Sequence, residues 1–259
     1  MTRLRALALA TLASAVMPAS LIAQVSPGRV MLEKMRAAYA GKWYHTLTFT
    51  QKTTIYRPGA PERVQIWRES LRYTPQHGVQ LRIDNGDLTA GNGSLATADS
   101  TWIIRGGVLV QVRGTGNEFL PWIEGVYMQP LDQTERQVRA MGLDMQKTRK
   151  GTWRGRPITV LCATAADDTT RSQAWIDDER QIIVRMIVRA DTAQPPLDVL
   201  LENYVRVGGG WLETKVDIYV DGVLRQREEY RDWKADLPLP DALFEPAQWI
   251  TALHWGRKP

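Results

Sequence analysis

The chain is 259 residues long, and 33 Lys and Arg against 28 Asp and Glu give a formal net charge of +5. Hydrophobic residues make up 44% and charged residues 24%. That balance belongs to a globular protein and excludes a fibre, a disordered tail or a polytopic membrane protein.

Arg3 and Arg5 form a positive n-region, and the apolar stretch 7–16 is too short to span a bilayer. Pro18, Ala19 and Ser20 then break the helix, and Leu21-Ile22-Ala23 ends in the small residue a signal peptidase needs. The pattern predicts a signal peptide over 1–23, and Leu4 between the arginines argues against a twin-arginine signal. Without Arg3 and Arg5 the 33 basic residues become 31, a net of +3, so the charge does not argue for a nucleic-acid partner. Leu21-Ile22-Ala23-Gln24 resembles a lipobox with Gln in the place of the lipidated Cys. No later stretch of ~20 apolar residues follows. The expected product is an exported, unlipidated, soluble protein of the periplasm, with 24–259 as a single domain.

Ser26 as N-cap, Pro27 at the first helical position and Gly41 as a stop predict one helix, with Met31, Met35, Ala38 and Tyr39 along one stripe. Strands then dominate. Residues 46–56 place Leu47, Phe49 and Ile55 on one face, and residues 64–73 place Trp67, Leu71 and Tyr73 together. The stretch 85–99, rich in Gly, Asn and Asp, is expected to be a long loop. Residues 101–105 and 108–112 flank Gly106-Gly107, a pair that tolerates the positive φ of a tight hairpin. Two short helices, 118–128 and 131–141, are split by Pro130, with Leu131, Val138 and Met141 on one side of the second.

Strands resume over 145–148, 158–163, 173–176, 181–189, 198–206, 211–220 and 223–232, with Asp221-Gly222 closing the last pair. In 211–220 the set Leu212, Thr214, Val216, Ile218 and Val220 opposes Trp211, Glu213, Lys215, Asp217 and Tyr219, the pattern of a strand with one wet face. The fold class is therefore α+β, mainly antiparallel β: one large curved sheet whose apolar inner face is covered by helices. Imperfect filling would leave a pocket.

Chemistry is sparse. Cys162, the one cysteine, lies in an apolar run and is expected to be a buried small hydrophobe. His45, His77 and His254 have no recognisable partner in the sequence. Neither Asp167-Asp168 nor Asp177-Asp178-Glu179 makes a facing acid pair on extended backbone. Asp84, Asn85, Gly86 and Asp87 lack the alternation of a calcium loop. There is no phosphate loop, G-x-S-x-G elbow, S-x-x-K or H-E-x-x-H. No catalysis, cofactor or metal is expected. Arg185, Arg189, Arg206, Arg225 and Arg227 alternate as a solvated outer face would.

Gln173-Ala174-Trp175-Ile176-Asp177-Asp178-Glu179-Arg180, followed by Ile183-Val184-Arg185-Met186, resembles a hairpin of the LolA-like proteins. So do Asn203-Tyr204 through Gly208-Gly209-Gly210-Trp211 to Tyr219-Val220-Asp221-Gly222. The ending Leu239-Pro240-Asp241-Ala242-Leu243-Phe244-Glu245-Pro246 and the opening Leu47-Thr48-Phe49-Thr50-Gln51 are similar to that family as well. The resemblance implies a half-barrel with a helical lid and a hydrophobic cavity holding lipid or lipoprotein acyl chains. It also implies an inner-membrane ABC transporter and an outer-membrane receptor as partners. On this expectation Leu47, Phe49, Trp67, Trp102, Trp122, Trp175, Val184, Met186, Val216 and Ile218 line the cavity of a monomer. Exchange of an acyl chain then needs no energy source of its own, since the cavity only has to match the ~0.8 kcal/mol per methylene lost on leaving a bilayer. The alternative is a structural or regulatory module that binds a protein on its outer face.

Overall fold

The computed structural model describes residues 25–165, 168–189 and 193–257; the leader 1–23, Gln24 and Asp167 lie outside them. Helix α1 (Pro27–Ala38) begins where Ser26 accepts a hydrogen bond from the Arg29 N–H at 3.2 Å. Six strands follow: β1 (Thr46–Ile55), β2 (Arg63–Thr74), β3 (Gly78–Asn85), β4 (Gly93–Ala96), β5 (Thr101–Arg105) and β6 (Val108–Arg113). A π-helical turn, Pro121–Gly125, runs into the single turn α2 (Val126–Met128), and α3 (Leu131–Ala140) comes next. The second run is β7 (Thr148–Trp153), β8 (Arg156–Leu161), β9 (Gln173–Asp177), β10 (Ile182–Val188) and β11 (Leu197–Glu202). It continues through β12 (Val205–Val207), β13 (Gly210–Leu212), β14 (Lys215–Val220) and β15 (Val223–Ala235).

Thirteen of these strands form one open, curved antiparallel sheet in the order β6-β5-β4-β3-β2-β1-β15-β14-β11-β10-β9-β8-β7, and β12-β13 stands apart as a hairpin. Each half is a meander of neighbours in sequence. The two halves meet at one long-range pairing, β1 with β15, where Gln51 opposes Tyr230 and Thr53 opposes Glu228. The α+β class expected from the strand count is the class observed. The hairpin turns at Gly106-Gly107 (φ 58° and 78°) and Asp221-Gly222 (φ 51° and 70°) have the positive φ expected of them.

Three local expectations are corrected. The stretch 85–99 is not a long loop, for it contains a 3-10 turn at Leu88–Ala90 and strand β4. A Cβ on Gly93 would lie 2.1 Å from the Ile83 carbonyl oxygen, so glycine there permits close strand approach. Residues 145–148 give way to a buried Met145 packed on Gly28, and β7 starts only at Thr148. The stretches 198–206 and 211–220 each break into two strands, and the chain between the breaks leaves the main sheet as β12-β13.

The helices cover the concave face. Leu32 and Met35 of α1, Trp122, Val126 and Val138 pack on Leu47, Leu71, Ile176 and Ile183 of the sheet. Polar ties hold this lid in place. Arg29 of α1 binds Glu135 of α3 at 2.7 Å, and Tyr39 and Tyr127 donate to the backbone oxygens of Arg180 and Gln181 at the β9-β10 turn. Trp43 stacks on Tyr127 with ring centroids 3.7 Å apart.

The opposite face of β2 to β5 is covered by the C-terminal strap, whose Leu243, Phe244, Trp249 and Ala252 pack on Leu95 and Ile104. Beneath it Arg82, 1% exposed, forks onto Asp84 at 2.7 Å and donates to the carbonyls of Leu243 and Trp249. His254 does have a partner, contrary to the expectation, because its Nε2 lies 3.1 Å from Asp84 Oδ2. Folding brings together residues 170 positions apart, which no sequence spacing reveals.

Candidate functional site: a cavity between sheet and lid

A cavity of about 240 Å³ separates the sheet from its lid. Alternation along the strands builds its floor. From β1 come Phe49 and Gln51, from β2 Trp67, Glu69 and Leu71, and from β3 Leu81 and Ile83. Across the seam β15 adds Gln226, Glu228 and Tyr230, β14 adds Val216 and Ile218, and β11 adds Val199 and Leu201. Registry keeps these side chains level: Glu69 opposes Phe49 and Ile83, Gln51 opposes Trp67 and Tyr230, Val216 opposes Glu228, and Ile218 opposes Gln226. Phe119, Leu120, Ile123 and Glu124 close it from the lid.

Of the ten side chains expected at the cavity, Phe49, Trp67, Val216 and Ile218 line it. The other six are placed elsewhere. Leu47 and Trp122 are fully buried in the packing of lid on sheet. Met186 belongs to the same packing but lines a separate pocket with Met141 and Leu143. Trp102 packs against the strap, and Trp175 and Val184 join Trp153 and Ile158 in a cluster towards the β7 edge. One-face alternation identified which residues turn inward on β1 and β2. It could not say where along each strand the lid fills the space.

The expectation of a wholly apolar inner face is also corrected, because four glutamates border the cavity. Glu124 accepts from Trp43 Nε1 at 3.0 Å and Tyr44 OH at 2.7 Å, and its burial pushes the pKa up to about 7 despite these bonds. Glu228 accepts from Gln226 at 2.6 Å and Tyr230 at 2.7 Å, and burial raises its pKa as well.

Glu69 and Glu213 differ. Glu69 is 4% exposed and, among the described residues, has no hydrogen-bond partner; burial holds its pKa well above the ordinary range, with Glu228 and Glu213 adding to the shift. Glu213 is 7% exposed, is bonded among the described residues only by its own backbone N–H, and is pushed up to about 8 by burial. Among the described residues no Lys, Arg or His lines the cavity. The Trp67 indole N–H is buried there without a partner as well.

Several charged groups elsewhere make pairs within the fold. Arg185 forks onto Asp198 at 2.7 Å, and Arg227 onto Asp217 at 2.7 and 2.9 Å. Arg206 lies over Trp211. Cys162 is buried just past the end of β8, and its thiol is pushed up to about 12 by burial, where it is not a nucleophile. Among the described residues no group of three or more His, Cys, Asp or Glu is placed to hold a metal ion.

No family model matches the sequence, and no curated protein matches it. Solved structures do match. A domain from Vibrio parahaemolyticus described as an outer membrane lipoprotein-sorting protein superposes with a TM-score of 0.58 at 11% identity, over 86% of this chain and 98% of that one. A DUF1329 family protein from Desulfovibrio piger gives 0.55 at 14% identity, over 85% and 98%. A LolA superfamily protein from Nitrosomonas europaea gives 0.51 at 13% identity, over 85% and 98%. At these identities the likeness concerns the fold. The open half-barrel with its helical lid, expected from the turn motifs, is the LolA-like architecture.

Proposed function

We propose that this chain is a non-catalytic binding protein of the periplasm, exported by a signal peptide cleaved after Ala23. It holds a lipid chain, or the acyl chain of a lipoprotein, between its half-barrel and its lid. The observation that carries this reading is the cavity itself, walled by Phe49, Trp67, Leu71, Leu81, Val199, Leu201, Val216 and Ile218. Each methylene moved into such walls gains about 0.8 kcal/mol over water. With about 240 Å³ available, the cavity lies below the ~300–1,000 Å³ usual for small-molecule sites. A whole lipid would therefore require the lid to lift. The LolA-like fold and the description of its Vibrio relative support this class of cargo. An inner-membrane ABC transporter as donor and an outer-membrane receptor as acceptor complete the proposed route.

Displacement of a fluorescent alkyl probe tests the reading. Ile218→Trp fills the space and is expected to weaken probe binding at least tenfold with an unchanged melting temperature. Full binding by this variant would place the ligand elsewhere.

A second reading is favoured by strand β6. It ends the sheet with one unpaired edge, and Val108, Leu109, Val110 and Val112 are 64%, 42%, 57% and 54% exposed. Apolar edges of this kind accept a further strand, so the occupant would be an extended segment of a protein partner. Val110→Lys is expected to abolish capture of such a partner while leaving probe binding intact. If it instead abolished probe binding, the two surfaces would not be separate.

A further inference from the structure

We propose that the cavity takes an ammonium group carried on an apolar chain, with Glu69 and Glu213 as its counter-charge and Phe49, Trp67 and Tyr230 as its walls. This rests on the cavity being a ligand site, and it names the head group that site would select.

Two acids border the cavity without a donor from another residue among those described. Burying a carboxyl without a hydrogen-bond donor is costly, and an aliphatic side chain at Glu69 or Glu213 would line an acyl cavity without that cost. Both residues are more than nine-tenths buried and border the cavity, yet among the described residues neither is paired with a donor from another residue, which leaves the carboxyls open to the cavity alone. A ligand that supplies the missing donors removes the penalty.

The chemistry of the walls narrows the choice of ligand. Phe49 and Tyr230 lie with ring centroids 4.9 Å apart, and Trp67 stands on the next strand. Aromatic faces attract cations, most strongly where water is excluded. No basic residue among those described competes for the carboxylates there. A metal ion fits poorly, since the acids are not grouped as ligands. An anionic head group would find no basic residue there among those described.

The titratable groups facing this space are Glu69 of β2, Glu228 and Tyr230 of β15, Glu213 beside β14, and Glu124 of the lid with Tyr44 behind it; Tyr127 and Tyr204 lie near Glu213. None is basic. Burial raises the pKa of Glu69 and pushes that of Glu213 up to about 8, so an ammonium entering beside Glu213 near neutrality must displace its proton. A primary amine, like Lys, keeps its charge up to about pH 10. Affinity should therefore rise with pH, by up to about tenfold per unit for each proton released, until the acid ionises unaided.

Isothermal titration of the mature protein with dodecylamine, dodecanol and dodecanoate at pH 6, 7 and 8 tests this. The expected result is that dodecylamine binds at least tenfold more tightly than dodecanol at pH 8. Its affinity should rise from pH 6 to 8, and buffers of different ionisation enthalpy should report proton release. Glu69→Gln and Glu213→Gln should reduce the preference for dodecylamine over dodecanol at least tenfold. Dodecanol or dodecanoate binding as tightly as the amine at pH 8 would overturn the proposal and leave the apolar cavity intact. Failure of all three to bind would overturn both readings. Lysophosphatidylethanolamine is the fourth arm: competition with dodecylamine assigns the ammonium to a phospholipid head group, and exclusion assigns it to a free alkylamine. The proton-release measurement uses the unaltered chain, so it stands even if a variant fails to fold.

Discussion

Glu213 makes the stability of the protein depend on pH in an unusual direction. In the unfolded chain its carboxyl loses its proton near pH 4.5, whereas in the fold the proton stays until about pH 8. Between those values the native state binds more protons than the unfolded state, so this group's contribution to stability declines as pH rises. Glu213→Gln removes the titration. It is expected to raise stability at pH 8 by on the order of 3 kcal/mol, with little effect at pH 4.5, as read from urea midpoints at the two pH values. An equal change at both would show that the side chain acts through packing alone. Glu69 was legible in principle, because it sits two positions from both Trp67 and Leu71 and must share their face. Glu213 was not. In an unbroken strand its parity assigns it to the wet face beside Lys215 and Asp217, and only the break after Leu212 turns it inward.

At the scale of elements, what alternation and turn chemistry revealed was the strands and hairpins, down to Gly106-Gly107 and Asp221-Gly222. What they could not reveal was interruption. The β12-β13 hairpin leaves the sheet between two stretches that each read as one continuous strand, and Asn203 takes φ 55° where it begins. The lid was visible as three helices but not in its attachment, since Tyr39 and Tyr127 meet a turn more than fifty residues away in sequence. These two hydroxyls tie the lid down through backbone oxygens, each bond contributing about 0.5–1.5 kcal/mol. Tyr39→Phe combined with Tyr127→Phe should therefore speed alkyl-probe uptake roughly tenfold in stopped-flow mixing, with a small loss of melting temperature. Unchanged uptake would mean that the lid does not move to admit the probe.

Across the whole molecule the cavity is bordered by both meanders, β1 to β3 on one side and β11, β14 and β15 on the other. A ligand bound there links the halves, so its binding energy adds to global stability. At a free concentration 100 times Kd the gain is about 2.7 kcal/mol, or roughly 5–10 °C in Tm for a chain of this size. Differential scanning with dodecylamine measures it. A shift confined to one of two separate transitions would show that the halves melt independently.

The β1-β15 pairing also has a consequence in time. As the chain emerges N-terminus first into the compartment where it folds, β1 is complete about 170 residues before the first residue of its far neighbour β15. Throughout that interval the first meander can zip up hairpin by hairpin while the inward edge of β1 stays unmatched. No vessel exists until the strand over Val223–Ala235 arrives. Long-range closure of this kind is slow. Loading is thereby deferred to the last act of maturation, and a chain interrupted before residue 223 would have a floor and a lid but nothing to hold cargo in.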